Sequence, residues 1–208
     1  MSDTTAEFAV LTAWSAVPSP WTVEQAAAAG LASATAAGAI DALGDLTGRT
    51  LLIEGASGAV GSAAASFALA VGARVIGTAR PENHHYLTDL GAVATTYGPG
   101  LADRVAALAP EGVHAAFHAA PSASLPDLVA IVGDASRVVT VIDMEGAARL
   151  GARSVNAVND STLLERAADL GRRGLYTPRV DRVLPLASIR EAHESAESGA
   201  GKIVVTLT

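Results

Sequence analysis

Short apolar runs alternate with helix-period segments along most of the chain. Runs at 50–54, 74–78, 93–97, 113–119 and 136–142 predict strands, and segments at 59–71, 83–90, 101–109 and 122–132 predict helices between them. Strands this short, and apolar throughout rather than at every second position, belong to sheets covered on both faces. The pattern therefore predicts an α/β fold, a Rossmann-type doubly wound parallel sheet with helices on both faces. Within 59–71, Val60, Ala63, Ala64, Phe67, Ala68 and Val71 recur at helical spacing and predict one apolar face. Upstream, residues 7–17 read as extended as far as "PSPW". Thr22 and Gln25 have capping-box spacing and predict a helix start, with a second, Ala-rich helix over 31–43. Downstream come a strand near 153–158, a helix from 162 with Thr162 and Glu165 spaced as its cap, a helix near 188–198 and a last strand in "GKIVVTL".

The first strand runs into "GASGAVG". Ala56-Ser57-Gly58-Ala59-Val60-Gly61 fills a G-x-G-x-x-G frame, with Gly55 just before it. Such a frame gives a tight turn, a bare backbone where a pyrophosphate approaches, and a small residue where helix meets strand. The following helix then offers free N–H groups and the positive end of its dipole to phosphate. Glycine turns also occur for purely structural reasons, but this one lies between a predicted strand and a predicted helix, the setting a dinucleotide site requires. At the end of the second strand, an NAD site would place a carboxylate for the ribose hydroxyls. Thr78 and Arg80 stand there instead. Arg80 suits a 2′-phosphate, so NADP(H) is the expected cofactor; the alternative is a solvated loop arginine.

Composition narrows the chemistry. At 208 residues, half of them apolar, the chain suits one domain or one domain with a small appendage. A net charge of −7 argues against nucleic acid or an anionic membrane as partner. The only lysine is Lys202, which removes a phosphate-loop lysine, and the absence of cysteine removes disulfides, thiolate nucleophiles and cysteine-bound zinc. The N-terminus has no hydrophobic signal core, and the run "AAAAGLASATAAGAI" is too short to span a bilayer. A cytoplasmic protein acting on a small molecule is expected, with no membrane partner.

The segments "TAEFAVLTA", "GASGAVGSAAASFALAVGARVIGTA", "NHHYLTDLGA", "SRVVTVIDMEGAARLGAR", "VDRVLPLASIREAHESAESG" and "GKIVVTL" resemble, in order, the zinc-independent medium-chain dehydrogenase/reductases, in particular the quinone oxidoreductase and enoyl reductase branch. The resemblance implies NADPH-dependent hydride transfer to a quinone, enone or related conjugated carbonyl. It also implies that most of the family's N-terminal substrate domain, a GroES-like barrel, has no counterpart here. Residues 1–20 and 181–208 would be its remnant, pairing as a small sheet beside a Rossmann domain at 21–180. Position by position, the resemblance puts Ser57, Gly58, Ala59, Val60 and Gly61 at the pyrophosphate, and Thr78, Arg80 and Asn83 at the 2′-phosphate. Tyr97 falls near adenine, His118, Ala119 and Ala120 beside the cofactor, Val141 and Ile142 near the nicotinamide, and Thr35 close to the reacting ring. It further implies a homodimer through the sheet edge near 153–158.

Other chemistry finds less support. His84 and His85 are adjacent and diverge on a helix, so they do not share a metal, and no metal-ligand spacing appears. His118 is either a hydrogen-bonded strand-end residue or a proton donor to substrate. Asp143 and Glu145 form a polar loop or line the pocket. The Tyr-x-x-x-Lys pair of short-chain dehydrogenases is missing, since Tyr86, Tyr97 and Tyr176 are followed at that spacing by Leu90, Leu101 and Val180. The competing functional reading is a non-redox enzyme, a cyclase or isomerase, or a binding module on the same scaffold. Trp14, Trp21 and Val10 would then line an opened pocket or meet a partner.

Overall fold

The computed structural model describes residues 10–199 and 201–207. Six strands, β1 (Thr50–Glu54), β2 (Arg74–Thr78), β3 (Val93–Thr95), β4 (Ala115–His118), β5 (Val138–Thr140) and β6 (Arg153–Ser154), form one sheet in the order β3-β2-β1-β4-β5-β6. Every pairing in it is parallel. Side chains alternate between the two faces of each strand. Leu51 and Ile53 enter one core, Leu52 the other; Val75 and Ile76, and Phe117 and Ala116, divide in the same way.

Helices cover both faces. On one lie α1 (Val23–Leu43), α2 (Ala59–Ala70), α3 (His84–Asp89) and α7 (Ser161–Arg172). On the other lie α4 (Leu101–Leu108), α5 (Leu125–Val132) and α6 (Met144–Leu150). The predicted Rossmann architecture is the observed one. Beside it sits a small parallel sheet of β7 (Arg182–Pro185) and β8 (Ile203–Thr206), with α8 (Ile189–Glu197) between them in sequence. Both its strands come from the C-terminal part; residues 10–20 contribute none, and residues 1–9 of the expected remnant lie outside the described residues.

Several local expectations are corrected. The two helices expected before residue 43 are one, α1, capped as predicted: Gln25 N–H donates to Thr22 Oγ1 (3.2 Å) and Thr22 N–H to Gln25 Oε1 (2.9 Å). Gly30 lies inside it, and a mid-helix glycine costs about 1 kcal/mol, which burial on both sides of it outweighs. At 21 residues α1 is long and apolar enough to cross a membrane, yet more than half of that stretch is buried, against α2 and α7 among others. Its small residues permit that close approach.

The cap of α7 is Asp160, whose Oδ1 accepts from Thr162 N–H at 2.7 Å; Glu165 instead takes hydrogen bonds from Ser15 and Arg172. The apolar face of α2 does not extend to Val71, which is 45% exposed; the helix is buried all round from Gly61 to Ala68. The fifth strand stops at Thr140 and the sixth at Ser154, both earlier than expected. Residues 144–150 form a helix the pattern did not predict, with Asp143 as its N-cap, accepting from Gly146 N–H at 2.7 Å.

Candidate active site at the switch point of the sheet

From β1 the chain moves outward to β2 and β3 on one side, and then returns to place β4 on the other. A doubly wound sheet opens a crevice at that reversal, beyond the carboxyl ends of its strands. Here a cleft of about 640 Å³ lies there, within the range of small-molecule sites. One wall is the glycine turn, Gly55 to Ala59, with Thr78, Ala79, Arg80 and Asn83 beyond it; the other is the β4–α5 loop, Ala119 to Ser122.

The turn is built by contact. Gly55 has φ of 75°, a left-handed conformation suited to glycine, and its N–H donates to Thr78 Oγ1 (3.2 Å). A Cβ on Gly77 would meet Ala56 Cβ at 2.6 Å, so β2 and the turn touch directly. Gly58 caps α2 without a side-chain hydrogen bond, leaving the first-turn N–H groups of Ala59, Val60 and Gly61 without intrahelical partners. Those residues fit a pyrophosphate.

The predicted site residues divide. Ser57, Gly58, Ala59, Thr78, Arg80, Asn83, Tyr97 and Ala119 line the cleft. Val60 and Gly61, the next two residues of α2 after Ala59, are not part of the cleft lining. Thr78 is fully buried and its Oγ1 accepts from Gly55 N–H, so it shapes the turn as well as lining the cleft. Val141 and Ile142 lie past the end of β5, outside the cleft lining. Thr35 sits inside α1, buried, donating to Leu31 O at 2.8 Å, and does not line the cleft. Trp21 is a packing residue whose indole N–H donates to Tyr176 O, while Trp14 and Val10 are exposed.

Among the lining residues that the sequence does not single out as site residues, four carry polar chemistry that shapes the site: Arg179, Lys202, Glu54 and Ser122. Arg179 donates to Ser57 O (3.0 Å), Asn83 Oδ1 (3.1 Å) and Asp181 Oδ1 (2.7 Å), and its guanidinium stacks 4.6 Å from the Tyr86 ring centre. It ties the glycine turn to the C-terminal sheet across 122 positions of sequence, a distance no local pattern bridges. Lys202 joins it on the cleft rim. Glu54 and Ser122 complete the set, and Glu54 did carry a signal: a carboxylate closing the apolar run "LLIE".

Glu54 is 2% exposed and His118 is fully buried. Thr140 Oγ1 accepts from the N–H groups of Ile142 and Asp143, both at 3.1 Å, which fills its two lone pairs. Its proton is therefore directed to His118 Nδ1, 2.9 Å away. That assigns the ring proton to Nε2, which donates to Ser122 Oγ at 3.2 Å, while Ser122 Oγ lies 2.9 Å from Glu54 Oε1. Ser124 Oγ donates to Glu54 Oε2. Serine, histidine and glutamate meet here without forming a hydrolytic triad, because Nε2 already carries its proton and is no base for Ser122. His118 thus sits behind the cleft wall, reached only through Ser122.

Burial lifts the Glu54 carboxyl above the ordinary range, Asp127 adding to it and Ser122 opposing; burial lowers His118, with Asp143 opposing. As pH rises from the ordinary glutamate range toward the raised value, the folded protein holds a proton that the unfolded chain has released, so this stability contribution declines across that window. His118 acts oppositely, its contribution being lost as pH falls below the ordinary histidine value of about 6.5 toward the lowered one. Glu54→Gln is expected to raise the melting temperature relative to wild type more at about pH 8 than at about pH 4, where both forms are uncharged at this position. Thermal melts across that range measure it; a constant offset would exclude Glu54 as the titrating group.

Fold and cleft together define a medium-chain dehydrogenase/reductase cofactor domain, and the chain belongs to that family: residues 90–205, more than half of it, match the family model described as zinc-binding dehydrogenase. Among solved structures, an NAD-dependent alcohol dehydrogenase aligns at a TM-score of 0.80 and 24% identity over 93% of this chain and 62% of that one. An alcohol dehydrogenase superfamily protein from Novosphingobium aromaticivorans aligns at 0.75 and 27%, over 88% and 61%. The quinone oxidoreductase from Coxiella burnetii aligns at 0.79 and 22%, over 91% and 62%. The chain thus spans less than two thirds of these structures. No match was found among curated proteins. Among the described residues no group of three or more His, Asp or Glu side chains could hold a metal ion.

Proposed function

We propose that the protein is an NADPH-dependent oxidoreductase that reduces a quinone, enone or related conjugated carbonyl. The observation that carries this reading is the cleft itself: an uncapped helix start for a pyrophosphate, and Arg80 where an NAD site would hold a carboxylate. The N–H groups of Ala59 and Val60 bind the pyrophosphate, Arg80 the 2′-phosphate and exposed Tyr97 the adenine. The loop Ala119–Ser122 flanks the nicotinamide half. When bound, the reduced nicotinamide supplies the hydride. The chain's own contribution is orientation and exclusion of water, which hydride transfer chiefly requires. Arg179 takes a positioning role, holding Ser57 and Asn83 in place.

Calorimetric titration with NADPH and NADH, followed by NADPH oxidation assays against quinones and enones, tests the reading. Tighter binding of NADPH and turnover with at least one acceptor are expected. Folded protein that binds neither dinucleotide would overturn it. The substrate is proposed to be a small molecule handled in the cytoplasm. The protomer is proposed to dimerise through the exposed edge strand β6, which sizing by light scattering would check.

A further inference from the structure

Ser122 is the exposed end of a buried hydrogen-bond network. Behind it stand Glu54 at the end of β1 and His118 at the end of β4, two neighbouring strands whose register pairs Glu54 directly with His118. In front of it is the cleft, which both Glu54 and Ser122 line. A buried carboxyl beside a buried histidine and two serines is costly unless every lone pair is used. Ser122 Oγ also lies 2.9 Å from Ser124 Oγ, and of the two serine hydroxyls in the network only that of Ser122 belongs to a residue lining the cleft.

We propose that Ser122 donates the proton to substrate in this cleft and that Glu54 replaces it from behind, with His118 holding the serine in register. The proposal rests on the reductase reading above and names the source of the proton that reading leaves open. With Glu54 protonated, Ser122 Oγ accepts from Glu54 Oε1 (2.9 Å) and from His118 Nε2–H (3.2 Å), which occupies both its lone pairs. Its own hydrogen is then shared between Ser124 Oγ, 2.9 Å away, and an acceptor in the cleft that Ser122 lines, and it turns to the cleft when substrate is bound there. With Glu54 ionised, the same hydroxyl turns inward and donates to Oε1. Ser124 holds the second carboxyl oxygen in either state.

The step balances. With a bound nicotinamide supplying hydride to the β-carbon of a conjugated carbonyl, the electron pair of the C=C bond would shift until charge develops on the carbonyl oxygen. That oxygen takes the Ser122 proton as Oγ takes the Glu54 proton, leaving Glu54 ionised. The substrate would thus gain one hydride, at the expense of the bound nicotinamide, and one proton, and Glu54 regains its proton from the cleft through Ser122 after product leaves. The titratable groups facing the carboxyl are His118 from β4, 3.8 Å away, and Asp127 from α5, while Asp143 from the turn before α6 acts on His118. Burial and Asp127 both favour retention of the proton, and neutral His118 offers no cation to oppose them.

Two measurements decide it. Infrared difference spectra of the dinucleotide-free protein across pH are expected to show a protonated carboxyl that titrates above the ordinary glutamate range and disappears in Glu54→Gln. Steady-state assays with NADPH and a quinone or enone are expected to show kcat reduced about 100-fold or more in Ser122→Ala and Glu54→Gln, the usual scale of a lost acid catalyst. NADPH affinity should be retained in both, and Ser122→Thr, which keeps the hydroxyl, should recover most of the rate. Wild-type turnover matched by Ser122→Ala would overturn the donor role, and absence of the titrating carboxyl would overturn the proton store. Wild type that binds NADPH but reduces no acceptor would instead remove the reductase reading, and this proposal with it.

Discussion

Arg80→Ala is expected to weaken NADPH binding about tenfold while leaving NADH binding nearly unchanged. Arg80 follows β2 and caps a short 3-10 helix, Pro81–Asn83, with its side chain 57% exposed on the cleft wall. Among the described residues its one ion pair is with Glu82, at 4.0 Å and itself 65% exposed. Such a pair contributes at most about 1 kcal/mol and does not occupy the guanidinium. A 2′-phosphate brings nearly two negative charges and three acceptor oxygens, which an arginine fork meets in paired hydrogen bonds. Solvent at this half-exposed position screens the gain, so about 1.4 kcal/mol, a factor of ten, is the expected loss. Arg80→Lys should fall between, retaining the charge without the fork. Parallel calorimetric titrations of the three proteins with both dinucleotides, at one salt concentration, measure all six affinities. Equal weakening of both dinucleotides would make Arg80 a scaffold residue; wild type preferring NADH would reject the NADP(H) assignment.

The fold was legible because its signal is repeated. Five strands and the helices between them each carried an apolar run of the right length, and the glycine frame fixed which strand came first at the cleft. What the sequence hid has local causes. Thr140 ends β5 because its hydroxyl captures the N–H groups of Ile142 and Asp143, turning the chain into α6 before Val141 and Ile142 can extend the strand. Thr35 was assigned by resemblance, but its place inside a continuous α1 commits its hydroxyl to the helix backbone. Arg179 and Lys202 reach the cleft from the C-terminal sheet, a tertiary juxtaposition with no periodicity to betray it. His118 was recognised as a strand-end histidine facing the cleft region, yet its connection to Glu54 and Ser122 depends on which strand pairs with β1, and that is a property of topology.

A pair of glycine substitutions is expected to separate the scaffold role of the turn from its role in binding. In Gly61→Ala the new Cβ would lie 2.2 Å from Gly55 O and 2.8 Å from Ala56 Cα. Both neighbours are backbone, so no side chain can swing aside. Nor can Gly55 retreat, because its own position is closed by Ala120 on the β4 side: a Cβ there would meet Ala120 Cβ at 2.8 Å. The helix α2 must move off β1, and overpacking of this kind costs about 3 kcal/mol, the upper part of its usual range. For a chain of this size each kcal/mol is about 2–4 °C, so the melting temperature should fall by roughly 6–12 °C. Dinucleotide binding should fall with it, since the displaced helix carries the N–H groups of Ala59 and Val60. Gly58→Ala differs. Its Cβ would meet only Gly55 O, at 3.3 Å, and its backbone, φ −74° and ψ 170°, suits any residue. Little stability should be lost, while the added methyl stands on the surface a pyrophosphate must approach. Melting curves and NADPH titrations on the two variants give the expected contrast: Gly61→Ala impaired in both, Gly58→Ala impaired in binding alone. Undiminished binding by stable Gly58→Ala protein would mean that the turn closes the β1–α2 corner and holds no phosphate.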